Sequence, residues 1–144
     1  YIEKERARAA KKGYTDPMQK TKGDTDRDFN LALRFCIENI SIISFCCASH
    51  NEESNLYLID LMKKNNIAIN DDRIFFAQLL GMSDHISMNM SQGGYNIAKY
   101  VPYGPVKDVT PYLIRRAQEN TSVAGQTGRE LSLILGEQSR RKSS

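Results

Sequence analysis

Residues 99–119 read K-Y-V-P-Y-G-P-V-K-D-V-T-P-Y-L-I-R-R-A-Q-E and pass from a short apolar segment through a Pro/Gly turn into a helix. Spacing of i, i+3, i+4 and i+7 places four side chains on one helix face: Tyr112, Arg115, Arg116 and Glu119. Two planar guanidinium groups side by side suit bidentate capture of a carboxylate. The pattern indicates a site for a small anion, the alternative being solvated arginines paired with Glu119.

Strand-like and helix-like segments alternate upstream of this helix. Apolar runs predict three strands, at residues 40–49, 74–80 and 97–101. The first run is nearly continuous and rich in β-branched residues, as expected of a strand covered on both faces. Helical spacing predicts a helix after each strand, at residues 52–64, 83–93 and 106–120. This alternation with short connections predicts an α/β fold with a parallel sheet.

Two further helices are predicted before the first strand. Residues 4–12 form a basic, Ala-rich helical stretch that ends at Gly13. Thr25, with Asp28 three residues later, is predicted to cap the second helix. A nucleic-acid-binding role for residues 4–12 is disfavoured, because no aromatic side chains are interleaved and Glu5 offsets the positive charge.

Composition narrows the possible functions. A net charge of +3 and an apolar content of 40% are ordinary for a globular domain and do not indicate a nucleic-acid partner. No run approaches the roughly 18 apolar residues that a membrane span needs. Cys36, Cys46 and Cys47 have neither disulfide-framework nor metal-ligand spacing, so we expect reduced, buried thiols. With two histidines in the chain, neither a metal site nor a nucleophilic triad is predicted.

Four motifs in register resemble one enzyme family. K-Y-V-P-Y-G-P-V followed by Y-L-I-R-R-A-Q-E-N is similar to the C-terminal signature of the proline dehydrogenase family, flavoenzymes that oxidise L-proline on a (β/α)8 barrel. Residues 1–10 resemble the segment after the family's fifth strand, and residues 48–54 and 76–85 resemble the ends of its sixth and seventh strands. The resemblance extends to about Gly128.

The resemblance implies that this chain is the C-terminal portion of such a barrel. A (β/α)8 barrel usually needs about 250 residues, so 144 residues supply about three strand–helix units and an incomplete barrel. Residues 1–128 are expected to form the C-terminal part of the FAD-binding barrel. Residues 129–144 are expected to form a C-terminal helix and polar tail.

The resemblance also implies roles for individual residues. The substrate-binding residues would be Arg115 and Arg116 on the carboxylate, Tyr100 and Tyr112 around the proline ring, and Leu79 on the pocket wall. The FAD-contacting residues would be Ser49, His50 and Glu119. A plain core role for Leu79, and a core or capping role for His50, remain alternatives. No catalytic residue is predicted in this chain, because the family's active-site lysine and aspartate lie on earlier strands.

The function that the resemblance implies is FAD-dependent oxidation of L-proline to Δ1-pyrroline-5-carboxylate, with this chain inactive when isolated. Electrons would pass to a quinone-type acceptor. In a eukaryote the location would be mitochondrial, on the matrix side of the inner membrane, with peripheral membrane contact left open. One alternative is hydroxyproline dehydrogenase, which has a smaller residue at the position of Tyr100. The other is a non-catalytic, barrel-derived binding module that has lost its flavin.

Overall fold

The computed structural model describes residues 2–121, with side chains described through Arg116. In chain order its elements are α1 (Ile2–Lys12), α2 (Lys22–Glu38), β1 (Phe45–Ala48), α3 (Glu52–Lys64), β2 (Ile74–Leu79), α4 (Asp84–Gln92), β3 (Ile97–Tyr100) and α5 (Val106–Thr121). The tail predicted at residues 129–144 lies outside the described residues.

The three strands form one parallel sheet in the order β1-β2-β3. Phe45 pairs with Ile74 across β1 and β2, and Phe76 pairs with Ile97 across β2 and β3. Each pair of neighbouring strands is joined by a helix, which is the connection that parallel strands require. The predicted α/β fold with a parallel sheet is confirmed.

One face of the sheet carries the hydrophobic core. Alternate strand residues point to this face, where Phe76 is fully buried and packs edge-on against Tyr95 with ring centroids 5.8 Å apart. The core comprises residues from the strands and from α2, α3 and α4: Leu33, Ile37, Cys47, Leu58, Leu61, Met62, Ile74, Phe76, Ile86 and Met90. Full burial of one such large apolar side chain contributes about 1.5–3 kcal/mol, so this cluster fixes the helices on the sheet.

The opposite face of the sheet, which we call the open face, is mostly exposed. Its side chains form three rows in register, namely Cys46 with Phe75, then Ala48 with Ala77 and Ala98, then Leu79 with Tyr100. Exposed side chains occur in all three rows, and Leu79 is the buried member. The middle row consists of alanines alone, which makes the centre of this face shallow.

The first strand is shorter than predicted. The prediction of a strand over residues 40–49 is wrong at its start, because the chain is still turning after α2. The backbone N–H groups of Ile42 and Ile43 both donate to the carbonyl oxygen of Asn39, and Ile42 is 84% exposed. Local hydrogen bonds thus outweigh the strand preference of these β-branched residues.

Within the described residues β1 is covered on one face only, so the expected coverage on both faces is not found in this chain, and one cysteine expected to be buried is exposed. Cys47 is 1% exposed, and burial raises the pKa of its thiol to about 12. Cys46 is exposed, because successive strand residues point to opposite faces and its side chain lies on the open face. All three cysteines are free thiols, as predicted.

The second helix begins one turn earlier than predicted. Thr21, not Thr25, is its N-cap: the Thr21 hydroxyl oxygen accepts from the backbone N–H of Asp24 at 3.1 Å. Thr25 lies inside the first turn, where its hydroxyl donates to the carbonyl oxygen of Thr21. Both threonines precede an aspartate by three residues, so the sequence pattern fits either position.

Substitution of the two threonines tests this assignment. In the complete protein, Thr21→Ala is expected to lower the free energy of unfolding by about 1 kcal/mol, because the first turn of α2 loses its cap. Thr25→Ala is the matched control and should change stability by no more than about 0.5 kcal/mol, since alanine is favoured inside a helix. Urea unfolding followed by circular dichroism measures both. Equal losses would contradict the assignment of Thr21.

Candidate functional site

The predicted site residues follow the carboxyl ends of the three strands. Ser49 and His50 come directly after β1, Leu79 ends β2, and Tyr100 ends β3 opposite Leu79 in register. Because the strands are parallel, these ends lie along one edge of the sheet. Loops at this edge are where parallel α/β folds place their ligand sites.

An aromatic and cationic cluster joins β3 to α5. The rings of Tyr100 and Tyr112 meet edge to face, with centroids 6.2 Å apart and planes at 72°. The guanidinium carbon of Arg116 lies 5.0 Å from the centre of the Tyr112 ring, within the range of a cation–π contact. Helical spacing explains the second contact, because Arg116 is one turn after Tyr112. We call these three residues the Tyr–Arg cluster.

The two arginines of α5 differ in their surroundings. Arg116 is half-buried against Tyr112, whereas Arg115 is exposed. Glu119 belongs to α5 but lies beyond the last described side chain, so its predicted role lies outside the described residues. The structure thus brings together Tyr100, Tyr112 and Arg116, with Leu79 beside Tyr100.

A shallow cavity of about 270 Å³ adjoins this cluster. It is bounded by the β3–α5 connection and the first turns of α5: Tyr100, Pro102, Tyr103, Gly104, Pro105, Asp108, Val109 and Tyr112. The cavity shares the two tyrosines with the predicted substrate pocket, but its lining does not include Leu79 or the arginines. It is therefore a neighbour of the predicted pocket and not the pocket itself.

The polar pair after β1 is held by hydrogen bonds from two directions. The Ser49 hydroxyl oxygen accepts from the backbone N–H of Asn51 at 3.1 Å, and Asn51 caps α3 by accepting from the N–H of Glu53. His50 is half-buried, and its Nδ1 atom lies 2.9 Å from the hydroxyl oxygen of Ser83 in the β2–α4 loop. The pair is thus fixed at the strand end by α3 on one side and by α4 on the other.

Sequence reasoning missed a buried polar residue that supports this pair. Gln78 on β2 is 2% exposed. Its amide nitrogen donates to the carbonyl oxygen of Ser49 at 3.3 Å, and its amide oxygen accepts from the Ser87 hydroxyl at 2.8 Å. The available signal was a glutamine inside an apolar strand, since buried polar groups are hydrogen-bonded. A buried glutamine is expected to have hydrogen-bonding partners, but the sequence does not identify them.

A second missed residue is Lys99 on β3, which anchors the loop before α4. Its ammonium nitrogen donates to the carbonyl oxygen of Met82 at 3.1 Å and pairs with the Asp84 carboxylate at 2.6 Å. Both partners flank Ser83, whose backbone is left-handed with φ of 52°. Lys99 therefore stabilises a loop whose conformation is uncommon for a residue other than glycine.

Metal-binding and membrane-spanning features were absent where the structure describes the chain. No group of three or more His, Cys, Asp or Glu side chains within residues 2–116 is arranged to hold a metal ion. Over residues 2–121, none of the helices combines the length and the apolarity that crossing a bilayer requires. What the sheet edge does present is aromatic rings, a guanidinium group and hydrogen-bonding side chains.

A family model and the curated relatives of this chain carry related names. The sequence model of a family described as "Proline dehydrogenase" matches residues 1–129. "Proline dehydrogenase 1, mitochondrial" of Homo sapiens is 42% identical over 98% of this chain and 24% of that protein. "Hydroxyproline dehydrogenase" of Homo sapiens is 40% identical over 98% of this chain and 31% of that protein.

A solved structure shares the fold. It is the crystal structure of proline utilization A from Bdellovibrio bacteriovorus inactivated by N-propargylglycine, with a TM-score of 0.78 and 30% identity over 86% of this chain and 13% of that one. The chain spans only about a quarter to a third of the length of the two human relatives. It thus corresponds to a limited portion of each.

Proposed function

Since the chain belongs to the proline dehydrogenase family, we propose that it supplies the carboxylate clamp and part of the flavin site of an enzyme that oxidises L-proline to Δ1-pyrroline-5-carboxylate. The observation that carries the proposal is the Tyr–Arg cluster at the carboxyl edge of the parallel sheet. It combines a cation with two aromatic walls, which is what a small apolar ring bearing a carboxylate requires.

The clamp is built on Arg116 and Arg115. Contact with the Tyr112 ring limits the positions that the Arg116 side chain can adopt, so little conformational freedom is left to lose when a carboxylate binds. The adjacent Arg115 is exposed and supplies a second cation. Tyr100 and Tyr112 pack around the ring of the substrate, and Leu79 forms the adjoining wall. The carboxylate then fixes the orientation of the ring.

The strand-end edge and the open face fit a flat cofactor. The row of Ala48, Ala77 and Ala98 leaves the centre of the open face shallow, and Ser49 and His50 place polar groups at its edge. These features suit a planar ring system with polar rims, and we assign Ser49, His50 and Glu119 to FAD. When bound, the flavin accepts the electrons that leave the substrate. The residues of this chain bind and orient, and none is assigned as a general base.

The sheet is proposed to be the last three strands of a (β/α)8 barrel within residues 1–128. Three parallel strands in sequential order, each followed by a helix, are what such a portion contains. Exposure of Phe75 on the open face supports this, because an inward-facing barrel residue is covered only when the other strands are present. On this proposal the chain alone is inactive.

Proline is favoured over hydroxyproline as the substrate. The identities to the two human relatives, 42% and 40%, are too similar to choose between them. The choice therefore depends on Tyr100, a large side chain at the position where a ring hydroxyl would need room. A flavin-free binding module is the remaining alternative, and it predicts a protein that binds the ligand but no FAD.

A mitochondrial location and a quinone-type electron acceptor complete the proposal. The location is supported by the name of the Homo sapiens relative, "Proline dehydrogenase 1, mitochondrial". The acceptor is inferred from the family resemblance alone. Contact with the matrix side of the inner membrane would then be peripheral.

Flavin reduction in the complete protein tests the proposed function. The purified protein is expected to carry FAD, and anaerobic L-proline should bleach its visible flavin absorbance. Trapping of Δ1-pyrroline-5-carboxylate with an aromatic amino-aldehyde reports the product, and trans-4-hydroxy-L-proline is the comparison substrate. A protein that binds proline without flavin would support the binding module. Faster reduction by hydroxyproline would reverse the choice of substrate.

A further inference from the structure

Ser83 has an unusual backbone conformation for its position in the fold. It immediately precedes α4, where a serine commonly adopts an extended backbone and caps the helix with its hydroxyl. Here its φ and ψ are 52° and 39°, in the left-handed region that disfavours side chains with a Cβ. Within the described residues, its hydroxyl accepts no hydrogen bond from the first turn of α4.

The Ser83 hydroxyl is directed instead toward His50. Its oxygen lies 2.9 Å from Nδ1 of that imidazole, although the two residues are 33 positions apart. Ser83 is 8% exposed, so the contact is made largely away from bulk solvent. Because Nδ1 contacts Ser83, this hydrogen bond restrains the rotation of the imidazole ring.

Lys99 and Ser87 hold both sides of this contact. Lys99 binds the carbonyl oxygen of Met82 and the carboxylate of Asp84, the two neighbours of Ser83. Ser87, one helical turn after Ser83, reaches the carbonyl oxygen of Ser49 through Gln78. The start of α4 is thus connected to both residues of the Ser49–His50 pair by separate hydrogen-bonded paths.

We propose that Ser83 is a positioning residue that holds the His50 imidazole in the orientation used to bind the flavin cofactor. The inference rests on the proposed function, because it takes the FAD-contacting role of His50 from there. The left-handed backbone turns the hydroxyl from the helix it precedes to the imidazole across the sheet edge. Mispositioning of a contacting group by a lost supporting hydrogen bond weakens binding without removing any direct contact.

The choice of substitution separates this role from a structural one. Ser83→Gly removes the hydroxyl and relieves the left-handed backbone, so it should not lower the melting temperature of the apoprotein. Ser83→Ala removes the hydroxyl alone and serves as a second variant. Asn66→Gly is the matched control, because Asn66 also has a positive φ of 54° but is exposed after α3.

Titration of the complete apoprotein with FAD, followed by flavin fluorescence, measures the effect. Both Ser83 variants are expected to raise the Kd for FAD about three- to tenfold, while Asn66→Gly leaves it unchanged. In a His50→Ala background, Ser83→Gly should cause no further loss, since Ser83 acts through His50.

Three outcomes would overturn the inference. They are an unchanged Kd in both Ser83 variants, a similar loss in Asn66→Gly, or an equal loss from Ser83→Gly with and without His50. If the unsubstituted apoprotein takes up no FAD, the proposed function itself fails. If it binds FAD and the Ser83 variants bind equally well, only the positioning role fails.

Discussion

Replacing Arg116 with lysine in the complete protein is expected to raise the KM for L-proline roughly 10- to 150-fold. Lysine keeps the positive charge but loses the forked donor geometry and the planar contact with Tyr112, which lies 5.0 Å from the guanidinium carbon. Loss of one charge-assisted hydrogen bond costs about 1.5–3 kcal/mol, and each factor of ten corresponds to about 1.4 kcal/mol. Folding should be far less affected, because lysine suits a helix nearly as well as arginine.

Steady-state kinetics with proline and a dye acceptor measure this effect, alongside the melting temperature. Arg34→Lys is the matched control: Arg34 also lies on a helix, but its nearest ionic partner is Glu38 one turn away, at 3.3 Å. This control should leave KM unchanged. An unaltered KM in Arg116→Lys would mean that Arg116 is a structural partner of Tyr112 and does not bind the substrate carboxylate.

The bounds of a helix or strand could be predicted where the local sequence pattern fits one position only. Helix α3 is found where it was predicted, because its apolar residues recur at helical spacing, and the structure shows that Asn51 caps its first turn. The start of α2 was misplaced because Thr21 and Thr25 carry the same local pattern. The start of β1 was misplaced because hydrogen bonds to Asn39 continue the turn into β-branched residues.

In the candidate site, too, a contact within one helix could be predicted from the sequence, whereas contacts between separate elements could not. Contact between Tyr112 and Arg116 follows from one turn of helix, so spacing alone suffices. Contact between Tyr100 and Tyr112 depends on the path of the β3–α5 connection, and the family resemblance was needed to associate them. Gln78 and Lys99 could not be assigned, because their partners lie up to 29 residues away and no local periodicity identifies them.

Hydrogen bonds from three neighbouring elements hold the polar pair after β1. Each bond to the Ser49–His50 pair comes from a different element: Asn51 before α3 binds the Ser49 hydroxyl, Gln78 on β2 binds the Ser49 carbonyl oxygen, and Ser83 before α4 contacts the His50 imidazole. A sequence motif can therefore name candidate contacting residues but not the residues that hold them in place. The supporting set becomes visible only when the sheet is assembled.

Tyr100→Ser in the complete protein is expected to lower the ratio of kcat/KM for L-proline over trans-4-hydroxy-L-proline by one to two orders of magnitude. Proline would lose apolar contact with the ring, and Tyr112 would lose the edge-on neighbour that lies 6.2 Å from it. Hydroxyproline would gain room for its hydroxyl and a hydrogen-bonding partner in serine. Discrimination by one such group is about 1–3 kcal/mol, which corresponds to this change in the ratio.

Kinetics with both substrates on the parent enzyme, Tyr100→Ser and Tyr103→Ser measure the ratio. Tyr103 is the matched control, because it follows in the same connection but is 99% exposed and makes no described ring contact within residues 2–116. Its substitution should leave the ratio unchanged. If the ratio is also unchanged in Tyr100→Ser, the tyrosine does not contact the substrate ring. Proline and hydroxyproline would then be indistinguishable by this chain, and the residues that select between them would have to lie elsewhere in the complete protein.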